Sequence, residues 1–298
     1  MRFSRSTSLF ARSCGLTAAC ASMLLASSGA SLAQDDAAAP TTAAAATKVP
    51  EAKDVISSYV KALGGESAIR SHTSRKMTGK MEMPGMGGDP MIAPMVIYAA
   101  APNKMMVEIE VPDFGEVRQG YDGEIAWSID PMSGANILPP EQVEQMKEQT
   151  DFYGEINFDK RFKSMETIDA RDFDGLKCYA VKMIDQHDEE STYFFEVETG
   201  LLRGTMQTTE TQMGPMDMTN INKEYKEFGG VKFPVRTEIE MMGMTRVMTF
   251  SEIELDSVKA ETFALPDEIK ALVKSGETDG EKPAEGAGEK PEPKKEDK

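Results

Sequence analysis

The chain has 298 residues, with 50 acidic against 33 basic side chains and a net charge of −17. This balance excludes the clustered lysine and arginine that a nucleic-acid backbone demands, and it favours a solvated acidic surface. Of three cysteines only Cys178 lies beyond the first 33 residues. No disulfide can then form within the remainder, and the fold must rest on its buried core.

Residues 1–33 carry Arg2, Arg5 and Arg12, an apolar stretch through Leu24 and Leu25, and Ser31-Leu32-Ala33 ahead of Gln34. That order predicts a secretion signal and a periplasmic protein. The apolar run is too short and too rich in Ala and Ser to span a membrane, and no later segment qualifies. Leu16-Thr17-Ala18-Ala19 before Cys20 leaves a lipid-anchored form as the alternative. Removing the signal takes away three arginines and no acid, so the remainder is more acidic still. Residues 34–48 are Ala-rich without periodicity, which reads as a flexible leader.

A folded domain is expected over residues 49–274. Pro50 suits a first helical position, and Val55, Ile56, Tyr59 and Leu63 keep a helical stripe until Gly64-Gly65 ends it. A short helical turn follows over 66–70. Strand patterns then run over 73–83, 91–100, 104–111, 115–121 and 124–130, separated by Gly, Pro, Asn and Asp turns. In KMMVEIEV, Met105, Val107, Ile109 and Val111 share one face while Met106, Glu108 and Glu110 share the other. A helical insert opens at Pro139-Pro140 and runs towards Thr150, followed by Phe152, Tyr153, Phe158 and Phe162; residues 140–162 form a candidate lid. Strand patterns resume at 164–172, 176–184, 191–198, 201–211, 216–228, 231–242 and 245–255. Pro234, inside a strong strand pattern, marks an edge or a bulge. So many consecutive strands with two helical inserts predict a mainly β (α+β) fold built on one large curved antiparallel sheet. Residues 275–298 are Gly, Pro, Glu and Lys, and read as a disordered charged tail.

Three groups of segments resemble a known family. The helix YVKALGGESAIRS leads into a strand, GYDGEIAWSIDPMSG forms a mid-chain hairpin, and YFFEVETGLLRG with YKEFGGVKFPVRTEI forms later hairpins. In hairpin style and order these resemble the LolA-like periplasmic lipoprotein-carrier superfamily, which includes outer-membrane lipoprotein-sorting proteins. The resemblance implies an open, incomplete β-barrel with helices plugging its concave face around an apolar cavity. It implies a lipid acyl chain or a lipoprotein as partner and no catalytic step. An envelope protein partner, met by an interaction or stress-sensing module on the same scaffold, is the alternative.

Methionine suits a cavity that adapts to its guest, because the side chain is unbranched and polarizable. The chain has 22 methionines. The cavity candidates are Met77, Met81 and Met83 on one strand; Met105, Val107 and Ile109 on another; Ile125, Trp127 and Ile129; and Phe195, Phe233 and Ile239. The bland reading is that each packs the sheet against its helices. Thioethers also bind Cu(I), and MEMPGMGGDPM, MGPMDM and MMGM offer them beside Gly and Pro, though without His or Cys.

No other chemistry is written in the pattern. His187 in DQHDEE reads as a polar hairpin tip, and Asp185, Asp188 and Glu189 lack calcium-loop spacing. His72 has no Ser or Cys motif to serve, and Cys178 in LKCYAVKM reads as a buried strand thiol. There is no phosphate loop, dinucleotide fingerprint or zinc spacing, so no cofactor or metal is expected.

Overall fold

The structure is a computed structural model that describes residues 49–85, 88–211 and 214–276. The expected signal, leader and most of the charged tail lie outside the described residues. Two helices open the described chain, α1 (Ala52–Leu63) and α2 (Glu66–Arg70). Six strands follow: β1 (Ser74–Met83), β2 (Met91–Ala100), β3 (Lys104–Val111), β4 (Gly115–Tyr121), β5 (Ala126–Asp130) and β6 (Gly134–Ile137). Two helices intervene, α3 (Pro140–Gln149) and α4 (Phe158–Arg161). Seven more strands complete the sheet: β7 (Phe162–Phe173), β8 (Leu176–Asp185), β9 (Glu190–Glu196), β10 (Leu202–Thr211), β11 (Gly214–Phe228), β12 (Val231–Met241) and β13 (Met244–Leu255). A 3₁₀ turn, Ala260–Phe263, precedes α5 (Asp267–Ser275).

All thirteen strands join one antiparallel sheet in the order β6-β5-β4-β3-β2-β1-β13-β12-β11-β10-β9-β8-β7. Each half is a meander of sequential hairpins, and the single long-range pairing, β1 with β13, welds the halves together. The sheet is an open, incomplete β-barrel: β6 and β7 are its two outer strands and do not pair with each other. Residues 138–161 must therefore cross from one edge of the sheet to the other. That strap carries α3 and α4.

Alternation sets which residues meet the strap. Met77, Met95, Val107, Val181, Phe195 and Phe233 face inward, where they join Val55, Tyr59 and Leu63 of α1 and Phe158 of α4 in the main apolar core. The outer face is wet for much of its area, as in the Lys76–Glu254 pair across β1 and β13 at 2.9 Å.

Three elements depart from the sequence expectation. β6 is short, GANI, with one large apolar residue, so it gave no alternating pattern. The four-residue α4 is too short to carry a helical period. Helix α5 had a readable signal, with Pro266 at the cap, Asp267 and Glu268 in the first turn, and Gly276 in the left-handed conformation behind it. It packs on the outer face, with Ile269 fully buried beside Trp127 and Ile137. Pro234 sits inside β12, opposite a register shift in β11 and beyond the last paired residues of β12 and β13, Arg236 and Thr249. There its missing N–H leaves no ladder bond broken.

A candidate amphiphile cavity

The strap is pinned to the strand ends it crosses. Phe152 N donates to Pro102 O at 2.9 Å, and Tyr153 Oη donates to His72 O at 3.1 Å. Asp151 organises the turn by accepting from Tyr153 N at 3.0 Å and from Asn157 Nδ2 at 2.6 Å. The rings of Phe152 and Tyr153 meet edge to face at 5.2 Å, and Phe158 contacts Tyr59 of α1 at 6.1 Å.

Between the strap, α1 and the inner face lies a cavity of about 290 Å³. Tyr59, Leu63, Phe152, Phe158, Val231 and Phe233 supply its apolar walls. A second cavity of about 250 Å³ is lined by Met77, Ile97, Met105, Met248 and Phe250. Both are bounded by Arg75, Gln149, Asp151 and Pro234, so the two spaces adjoin across that waist. Apolar walls with a few polar groups are the usual make-up of a site for a small organic molecule.

The polar groups are mostly committed. Tyr225 donates to Leu202 O at 2.7 Å, and burial pushes its hydroxyl above the ordinary tyrosine value; Tyr59 is raised by burial as well. His72 Nδ1 lies 2.7 Å from Asp256 Oδ2 and Nε2 lies 3.0 Å from Gly229 O. With an acceptor at each ring nitrogen, the protonated ring is the form that can donate to both. The Asp256 hydrogen bond, then that of Gly229, raises His72 above its ordinary 6.5, while the same bond and Thr73 N hold Asp256 below its ordinary range.

The strand register sorts the sequence-predicted residues. Met77, Met81, Met105, Val107, Ile109, Phe195 and Phe233 belong to or pack against the inner core. Of these, Phe233 lines the first cavity and Met77 and Met105 the second. Met83, paired with Met91, and Ile239, paired with Asn220, share the inner face but lie towards the hairpin tips. Ile125, Trp127 and Ile129 are not brought to the cavity. Trp127 pairs with Gly120, which pairs with Met106, so this set faces outward and is covered by α5. Gly120 makes room for the indole, since a Cβ there would come within 2.7 Å of Trp127 Cζ2. The sequence reading missed Arg75, although it stands two residues before Met77 and hence on the same face.

The other singled-out groups lie elsewhere. Cys178 is fully buried on the outer face beside Ala180 and Phe194, where burial pushes its thiol up to about 11 and keeps it protonated. His187 occupies the β8–β9 hairpin tip, its N–H on Asp185 Oδ1 at 2.8 Å. Among the described residues no three His, Cys, Asp or Glu side chains converge as a metal site would require. No helix of the described residues is long and apolar enough to cross a membrane.

No protein-family model matches the chain, and no curated protein sequence does. Solved structures do. A DUF1329 family protein from Desulfovibrio piger superposes with a TM-score of 0.53 at 11% identity, covering 72% of this chain and 98% of its own. A LolA superfamily protein from Nitrosomonas europaea superposes with a TM-score of 0.51 at 12% identity, covering 73% of this chain and 99% of its own. Thirteen antiparallel strands, left open and crossed by a helical strap, give this chain a LolA-like fold.

Proposed function

We propose that the chain is a binding protein of the bacterial envelope that reversibly buries the apolar part of an amphiphile, a lipoprotein acyl chain or another lipid, between its sheet and its strap. The observation that carries this reading is the pair of adjoining apolar cavities under residues 138–161. A LolA-like fold supports it, and the reading needs no covalent step. Each methylene buried contributes about 0.8 kcal/mol.

A protein-interaction module would most simply add a partner strand to a free edge. The long edge β7 opposes that, because it carries Lys163, Glu166, Asp169, Arg171 and Asp172 and two register shifts, devices that blunt an edge against pairing. A copper reading meets the difficulties that Met81 packs against the core and that none of the three methionine motifs contains a His or Cys.

Native mass spectrometry of the protein purified from a bacterial envelope, with lipid extraction of the same sample, tests the proposal. Acylated molecules that leave on activation are the expected result. A clean apo mass that persists after incubation with lipid extract would overturn it.

A further inference from the structure

Arg75 stands at the waist between the two cavities. Its guanidinium lies 5.0 Å from the centre of the Phe152 ring and 5.8 Å from that of Phe233, so rings from the strap and from β12 hold it in place. Its Nε is buried and has no hydrogen-bond partner, and no carboxylate among the described residues forms an ion pair with it. Leaving a charged donor buried and unsatisfied is costly, which marks the position as one waiting for an acceptor. Asp151, which lines both cavities with Arg75, has both oxygens engaged within the strap.

The surroundings repeat the same sign. Leaving aside His72, which is paired with Asp256, the first cavity is lined by Arg75, Arg161 and Lys232 against Asp151 and Glu155. A cationic lining inside a chain of net charge −17 is a local reversal, and a site of that kind recruits an anion.

From Arg75 an apolar track leads away along the sheet. Met77, Met81 and Met83 follow it on the inner face of β1, flanked by Met95 and Met91 of β2 and by Met248 of β13. From Arg75 to Met83 the strand runs about 26 Å at roughly 3.3 Å per residue. One acyl chain needs about 15 Å, half the hydrocarbon thickness of a bilayer. The far end is open: Met83, Met91 and Met241 are half-buried and Met244 is exposed.

We infer that the ligand is an acid-headed amphiphile, a carboxylate or phosphate ester, whose anionic group is taken by Arg75 while its chain lies along the β1 methionines. This rests on the amphiphile reading above and narrows it: a lipid without an ionised head leaves Arg75 unsatisfied. Arg75 donates bidentately to the acid, which Lys cannot do as well.

Calorimetric titration of the delipidated full chain with dodecanoate and with dodecanol separates the possibilities. Dodecanoate is expected to bind at least tenfold tighter. Arg75→Gln should abolish that preference while leaving dodecanol unchanged, and Arg75→Lys should restore part of it. Equal affinity of the wild type for both ligands overturns the assignment to Arg75 and leaves the amphiphile reading standing; binding of neither ligand removes both. Met81→Gln should weaken hexadecanoate at least fivefold and spare octanoate, and equal effects on the two overturn the track.

Discussion

At the scale of single residues, the best-defined electrostatic device is the His72 ring held between Asp256 and Gly229 O. The raised folded pKa of His72 contributes stability that is fully present below about pH 6.5 and is lost as pH rises through the folded value. Asp256 is depressed, so its contribution is present above about pH 3.8 and is lost as pH falls through its folded value. The pair therefore helps most between those limits. Thermal melts of wild type and His72→Gln should differ most near pH 5, with the gap narrowing by pH 8; a gap that does not change with pH would rule the pair out as its source. Asp256 has φ 55°, a conformation Asn tolerates. Asp256→Asn should accordingly keep the turn while lowering the His72 pKa, an effect visible by NMR because the chain has only two histidines.

Individual residues also show where a pattern reading stops. Met77 and Phe233 were legible as inward-facing from period-two alternation alone. His72 was not, because its role depends on Asp256, far away in the chain and brought near only by the β1–β13 pairing. Arg75 was hidden by its charge, which places a residue on the wet face unless its parity with Met77 is given more weight.

At the scale of elements, strands were read within about two residues because each buries one face and a one-residue slip would turn every side chain over. What alternation could not supply was which apolar face meets which cover. Trp127 belongs to an apolar patch as expected, but the pairing of β4 with β5 sends it outward beneath α5. Ile269 is the contact that fixes this helix, being fully buried against that patch. Ile269→Ala should cost about 2–5 kcal/mol in a chemical melt. Trp127 is the sole tryptophan, and its emission should shift to the red as α5 loosens, with ligand affinity unchanged. Retention of wild-type stability would show that α5 is a passive cover.

At the scale of the whole molecule, the sheet has one long-range seam and two free ends. β1 and β13 are central and paired on both sides, whereas β6 is short and paired on one side only. Amide exchange should reflect this, slowest in β1, β12 and β13 and fastest in β6 and residues 138–161. Dodecanoate should slow exchange in the strap and leave the outer helix α5 unaffected. Protection confined to β7–β10 would place the ligand elsewhere. The order of the strands followed from hairpin rhythm, whereas the opening of the barrel was legible only through the family resemblance and not from alternation, since it lies in a pairing that β6 and β7 do not make.

That missing pairing gives the strap a second office. Because residues 138–161 join the two unpaired edges, the same segment that roofs the cavity is also a tether. The edges can part only as far as that tether pays out, and most of its slack is wound into α3 at about 1.5 Å per residue. Unwinding that helix to an extended chain would more than double its reach. The distance that the tether can span is thus set by whether the ten residues of α3 stay helical.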